Sequence, residues 1–334
     1  MSSENRHLVK LFTAIALLSV SLIAFELTLI RILSIVQWYH FAYMVISVAL
    51  LGFGAAGTFI AVFKEFLIEK TEILLPWLMV LTSLFMSLSV TISQTPLFSF
   101  DSYKLFSDFS HIWKLIATYM IFFPPFFCGA LAIGLAFVKY ISRIGTLYSA
   151  NMIGSGVGSL LAVLLMWWFF PQKLPAVVST LAFFAGVMII PQKLRAGFSL
   201  VIVAAVALLS FFYISSPLLN ISEYKSISKT LNLPKSKVVQ RESSPYGTIE
   251  IVSSNYLRYA PGLSIKYPGI VNVNNAAFNN GDWVGPLILL QNDSLNYLTY
   301  STGMLPYIIG KRKDVLVLNS GTGGQINTAL YNNT

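Results

Sequence analysis

The chain has 334 residues, of which 56% are hydrophobic and only 10% charged, and it carries a net charge of +9. Soluble domains are about a quarter charged, so this composition excludes an ordinary soluble globular protein and makes the lipid bilayer the first partner. It does not point to nucleic acid: Lys and Arg lie at the ends of apolar runs, with no dense stripe beyond Lys311-Arg312-Lys313, as membrane topology requires.

A hydrocarbon core of about 30 Å needs roughly 20 apolar residues per helix. Such stretches run near 9–32, 41–63, 73–93, 112–139, 145–170, 174–191 and 196–215. They predict a polytopic bundle of about seven transmembrane helices over residues 1–216. The first run is too long for a cleavable signal and no small-residue cleavage site follows it, so it is expected to stay as a signal anchor.

Glu26 and Arg31 interrupt that first run. A charge at mid-bilayer costs about 2.5–3.5 kcal/mol on insertion scales, which the surrounding apolar residues offset. Five residues of helix rotate a side chain by about 140°, so the two point apart. Each needs a partner on another helix, unless Arg31 snorkels to the interface. A buried carboxylate is a functional candidate by default, and a helix-locking polar contact is the equal alternative.

Trp38-Tyr39-His40 falls in the next turn, where aromatic residues favour the headgroup level. His7 and His111 form no metal-ligand spacing with His40, and no metal site is expected. The runs Gly52–Gly57 and Ala150, Gly154, Gly158 are rich in small residues, which let helix backbones approach closely. Helix packing explains them, and a cavity for a lipid or hydrophobic amine is the functional alternative. Asn151, on the same stretch, wants an interhelical partner. Pro124-Pro125 should break or kink one helix, and Cys128, the single cysteine, is expected to pack.

With seven spans, one side holds Arg6, Lys10, Lys64, Lys70, Lys139, Arg143, Lys193 and Arg195. The other holds Arg31, Lys104, Lys114, Lys173, Lys225, Lys229, Lys235 and Lys237. The tally is even, so the positive-inside rule does not decide orientation. A tail that binds a cytosolic cofactor must face the cytosol, and that consideration sets the expectation: an integral plasma- or inner-membrane protein with a cytoplasmic C-terminal domain.

Past Ser216 the chain turns polar. In 217–235, Tyr224, Ile227 and Leu231 stand at helical spacing, which suits a short helix lying on the membrane surface. Residues 236–292 read as a small antiparallel β domain, with a strand at Gly247–Val252 and turn signals at Pro261-Gly262, Pro268-Gly269 and Asn280-Gly281. Residues 293–334 read as the start of a Rossmann-like α/β domain. Asp293-Ser294 caps a helix running to about Ile309, interrupted near Gly303 and Pro306. Val315–Leu318 is a continuous apolar run, as in a buried parallel strand. Ser320-Gly321-Thr322-Gly323-Gly324 then forms a tight turn, and Gln325–Leu330 opens a helix. Glycines there let a backbone approach a ligand, and the helix N-terminus offers free N–H groups. Ser320, Gly321, Gly323 and Gly324 are the candidate cofactor-binding residues.

This arrangement resembles membrane-anchored relatives of spermidine synthase, in which a multi-helix membrane segment precedes an S-adenosylmethionine-type Rossmann domain. Glu26…Arg31 followed by Gly52–Gly57, and Tyr148-Ser149-Ala150-Asn151, are similar in the membrane part. Ser244-Pro245-Tyr246-Gly247-Thr248-Ile249 and Leu257–Leu263 are similar in the β part, and Val315–Gly324 resembles the family's glycine loop. The resemblance implies a transferase that moves an aminopropyl or methyl group to an amine, a polyamine for instance, or to a lipid-soluble acceptor. It implies S-adenosylmethionine or its decarboxylated form as cofactor, with Asp293 and Tyr297 matching substrate-binding positions.

The departures are specific. Asn319 and Ser320 stand for two loop glycines and Thr322 for the loop acid, while Ser294, Leu298 and Thr299 replace a Glu, a His and a Glu of the family helix. A cationic polyamine needs carboxylates to repay the desolvation of its ammonium groups. The family's ribose-binding acid and catalytic Asp are expected beyond Thr334, so the catalytic residues are unassigned and this chain alone is expected to be inactive. A non-enzymatic membrane protein, transporter-like or sensory with a degenerate Rossmann domain, is the alternative. The composition is compatible with a homo-oligomer.

Overall fold

The structure is a computed structural model and describes residues 3–260, 262–271, 273–287 and 297–332. It divides into two compact units, Met1–Asn220 and Ile221–Thr334.

The first unit is helical: α1 (Ser3–Val36), α2 (Ala42–Val62), the short α3 (Lys64–Glu69), α4 (Thr71–Ser93), α5 (Ser110–Lys139), α6 (Ile144–Leu165), α7 (Leu174–Ile189) and α8 (Arg195–Ile214). Six of these are long and apolar enough to cross a membrane. The expected span at 174–191 is the exception. Its helix has 16 residues, which rise about 24 Å, short of a full hydrocarbon core. The cause is local. Pro191 follows Ile190, whose ψ of 123° is extended, as expected of the residue before a proline. This short helix nevertheless packs against both α1 and α4 and buries Ala176, Ser179, Ala182 and Gly186. Helix α5 runs through Pro124-Pro125 without interruption.

Lipid tails are as apolar as leucine, so helices in a bilayer associate through close packing and interhelical hydrogen bonds. Both are present. A Cβ on Gly158 would stand 2.5 Å from the Val20 carbonyl oxygen, and one on Gly154 would strike that of Ala16. The pairings 16 with 154 and 20 with 158 run in the same direction, so α1 and α6 are parallel. Gly52 meets Phe126 of α5 in the same way, whereas Gly54 and Gly57 have nothing within 4 Å of the position a Cβ would take. Within the small-residue run at 52–57, Gly52 and the buried Ala56 therefore face the packed side, and Gly54 and Gly57 do not. Asn151 has its interhelical partner, a hydrogen bond from the Ser19 hydroxyl at 2.7 Å. The Ser21 hydroxyl donates to the Val178 carbonyl at 2.7 Å, tying α1 to α7. Cys128 is buried in this core.

The second unit holds a four-stranded antiparallel sheet in the order β1 (Lys237–Ser244), β2 (Gly247–Ser253), β3 (Asn275–Asn279) and β4 (Asp282–Leu287). Asn280 (φ 53°) and Gly281 (φ 80°) join β3 to β4; two left-handed central residues are what a type I′ hairpin turn demands. Pro286 sits in edge strand β4, where no partner requires its missing N–H. The covered face of the sheet presents Val252, Ala276 and Phe278, packed with Ile227 and Leu257. Glu250 is buried beside them and accepts a hydrogen bond from Arg241 Nε at 2.7 Å.

Of the expected surface helix only Ser226–Leu231 is helical (α9); Ile227 packs on the sheet, whereas Tyr224 and Leu231 are exposed. The preceding Lys225 is fully buried and donates to the Asn280 carbonyl at 2.6 Å and to Asp282 at 3.2 Å. Burial pulls its pKa down and Asp282 pushes it back up. Such a pair specifies one docking geometry more than it stabilises.

The close approach at the α1–α6 crossing generates a test. Gly158→Leu is expected to lower the unfolding free energy in detergent by about 1–3 kcal/mol, the usual penalty of overpacking. Gly54→Leu, made into open space, should stay within about 0.5 kcal/mol of the parent. Equal effects of the two would refute the assignment of the packing face.

Candidate functional site

The turn before α11 (Gly324–Tyr331) is built from left-handed residues: Asn319 (φ 53°), Gly321 (φ 55°) and Gly323 (φ 85°). Glycine adopts such angles without strain. The Gly323 N–H donates to the Ser320 carbonyl at 2.8 Å, and the Asn327 N–H to the Gly323 carbonyl at 2.9 Å, so the turn closes and passes directly into the helix. Among the described residues, chain neighbours aside, no atom lies within 4 Å of where a Cβ would sit on Gly321, Gly323 or Gly324. The space beside these glycines is therefore open, while the Gly323 N–H is itself engaged within the turn. Two further glycines seat the turn. A Cβ on Gly285 of β4 would stand 2.5 Å from Thr322 Oγ1, and one on Gly303 would stand 3.0 Å from the Gln325 side chain.

The expected strand before this turn does not form. Val315–Leu318 pairs with no strand among the described residues, and Leu316 and Leu318 are 84% and 78% exposed. A parallel strand is held only by neighbours on its edges, and among the described residues neither edge strand of this unit's open meander, β1 or β4, pairs with this segment. The turn and helix stand without the buried strand that normally presents them.

A cleft of about 380 Å³ lies beside the turn, lined by Gly303, Pro306, Tyr307, Arg312, Asp314, Val315–Leu318 and Gln325. Its wall reaches Leu318 and Gln325 on either side of the turn but does not include Ser320, Gly321, Gly323 or Gly324. Arg312 and Asp314 put one charge of each sign in its lining.

Asp293 lies outside the described residues, as does the start of its expected helix. From Leu298 the chain forms two single 3₁₀ turns and then α10 (Leu305–Ile309), with Pro306 in its first turn, so among the described residues the expected helix is α-helical only over its last five residues. Tyr297 does not line the cleft. It packs with Val271, Val273 and Leu298, and its hydroxyl has no hydrogen-bond partner among the described residues. Burial, with a smaller contribution from Tyr267, pushes its pKa up to about 12. The structure thus does not bring Tyr297 and the glycine turn to one cavity.

In the first unit, Glu26 is half-buried and Arg31 is buried. His111 is part of a loop scaffold, its Nδ1 accepting the Asp101 N–H at 2.9 Å. Asp108 nearby is held below the usual carboxylate range by hydrogen bonds from Ser110. The described residues contain no group of three or more His, Cys, Asp or Glu fit to hold a metal. A second cavity, about 740 Å³, opens where α1, α4, Tyr140 and the end of α7 meet. Its basic lining, Arg6, His7 and Lys10, is carried in the sequence only as spacing on α1, with no motif to mark it.

Comparison of the chain with protein-family models, with characterised proteins and with solved structures finds no match.

Tyr297 offers a direct test of its role. A buried hydroxyl without a partner costs stability, so Tyr297→Phe is expected to be neutral or to stabilise the second unit by up to about 1 kcal/mol. Its folded pKa lies above the unfolded value of 10.0. Stability is therefore complete below pH 10 and falls as pH rises toward about 12. Thermal unfolding against pH should show that alkaline loss diminished in the variant; a marked destabilisation at neutral pH would instead assign the hydroxyl a bonded role.

Proposed function

We propose that this is a membrane-embedded, spermidine synthase-like transferase of the S-adenosylmethionine fold. Its turn at Asn319–Gly324 holds S-adenosylmethionine or the decarboxylated form, and the acceptor is an amine or a lipid-soluble molecule. The observation that carries this proposal is the turn itself: three left-handed residues leading into α11 with an unobstructed backbone. A carboxylate or ribose hydroxyl would find free N–H groups there at a helix N-terminus. Transfer would proceed by attack of a neutral amine on the carbon next to the sulfonium: the C–N bond would form as that C–S bond breaks, a neutral thioether would leave, and the product would be released as the ammonium, with the protein contributing position rather than a covalent intermediate. Turnover requires acidic groups for amine binding and deprotonation that none of the residues at this turn supplies.

A non-enzymatic membrane protein, transporter-like or sensory, is the alternative, and the distribution of charge favours it. The helix directions gather Arg6, Lys10, Lys70, Lys139, Arg143 and Lys193 at one end of the bundle. The tail leaves from the other end, where Asn220 is hydrogen-bonded to Gln94 at the end of α4. Lys225, Lys229, Lys235 and Lys237 belong to the second unit, and folded domains weigh little in the positive-inside rule. Without them the positive-inside rule supports a tail on the side opposite the cytoplasm, where a cytosolic cofactor would be absent.

Calorimetry on the intact protein with both cofactor forms tests the enzyme directly. Binding is expected, weakened at least about ten-fold by Gly323→Val, since a side chain at this left-handed residue is strained; heat from neither cofactor removes the transferase. Sidedness is read from Tyr246→Cys in a Cys128→Ala background with a membrane-impermeant maleimide. Labelling from the cytoplasmic face alone accords with the transferase, and labelling from the opposite face alone favours the alternative.

A further inference from the structure

The cavity of about 740 Å³ in the first unit has a divided lining. Its mouth carries Arg6, His7 and Lys10 from the first turns of α1, with Tyr140 and Gln192 opposite. Its floor is apolar: Leu11, Leu75 and Pro76 are buried there, and Ile190 with them. Arg6 and Lys10 are four residues apart and so share one helix face. Neither makes an ion pair or hydrogen bond among the described residues. Among the described residues the acid of the lining is Glu72; burial, with a smaller contribution from Glu72, pushes the Tyr140 pKa up, so its hydroxyl stays protonated, a donor. Two cations, an imidazole, a phenol and an amide thus converge above an apolar pit against one carboxylate.

We propose that this cavity is a binding site for a phosphate-bearing anion, with the headgroup of an anionic phospholipid as its source. The chemistry of the mouth suits a phosphate: a guanidinium offers a planar fork of donors and an ammonium a compact charge. The position selects the lipid. The cavity lies where the apolar spans of α1 and α4 begin, at Arg6 and Thr71, which is headgroup depth. Its apolar floor accepts the start of an acyl chain, which a free phosphate would leave unfilled. Basic pockets between transmembrane helices recognise acidic headgroups by this combination.

The site is tested on the full chain in nanodiscs of phosphatidylcholine with increasing phosphatidylglycerol, with retained lipids identified by native mass spectrometry and with inorganic phosphate titrated in parallel. Phosphatidylglycerol is expected to be retained over phosphatidylcholine. Arg6→Gln and Lys10→Gln should each weaken retention roughly five-fold, the usual effect of one cation at a membrane surface. Glu72→Gln should strengthen it, a gain that a misfolded variant does not produce, and Lys104→Gln at the opposite end should change nothing. Inorganic phosphate that displaces the lipid at equal concentration would keep the anion site and overturn its assignment to lipid. Equal retention of the two lipids, or no response to Arg6→Gln, Lys10→Gln and Glu72→Gln alike, overturns the site itself.

Discussion

The bundle depends on the contact of two backbones. Gly154 and Gly158 set α6 directly on the carbonyls of Ala16 and Val20, at a separation that no side chain tolerates. In a bilayer this proximity replaces the hydrophobic effect as the source of cohesion, because dispersion and weak polar contacts fall off steeply with distance. With α6 seated, Ser19 reaches Asn151 across the interface. Helix α1 then has its remaining faces free for Phe126 of α5, whose ring lies 5.6 Å from that of Phe25, and for α7. One helix therefore organises the unit, and it is also the helix whose first turns carry the basic mouth of the large cavity.

The short α7 follows from the same economy. It is too short to span a full core, yet it is wedged between α1 and α4 and is lined with Ala, Ser and Gly. Ser179 meets Ser87 of α4 at 3.1 Å, and Ser21 of α1 donates to the Val178 carbonyl. A helix enclosed by neighbours need not match the lipid thickness, since its ends meet protein or water rather than hydrocarbon.

The second unit is organised by a different force. Its sheet buries Phe278 and Val252 under Ile227, an ordinary water-driven core, and Lys225 is locked beneath the Asn280-Gly281 turn. The glycine turn at 319–324 is attached to this core through Thr322 at Gly285 and Gln325 at Gly303. It owes its open backbone to its own dihedral angles rather than to a sheet below it.

Membrane class, the sites of most helices, the Asn280-Gly281 hairpin and the turn leading into α11 were legible in the residues, because each is a local property: hydropathy over about 20 residues, a dipeptide with left-handed angles, a glycine cluster before a helix. The demand of Asn151 for a partner was legible too, but not its identity. What tertiary structure alone decided is which surfaces meet. Gly52 packs while Gly54 and Gly57 stay open, Ile227 turns to the sheet, Tyr297 is kept from the cleft beside the turn, and Val315–Leu318 pairs with no strand among the described residues. Periodicity states that a segment has an apolar face or extended bias; only the neighbours brought by folding determine whether that face is covered, and by what.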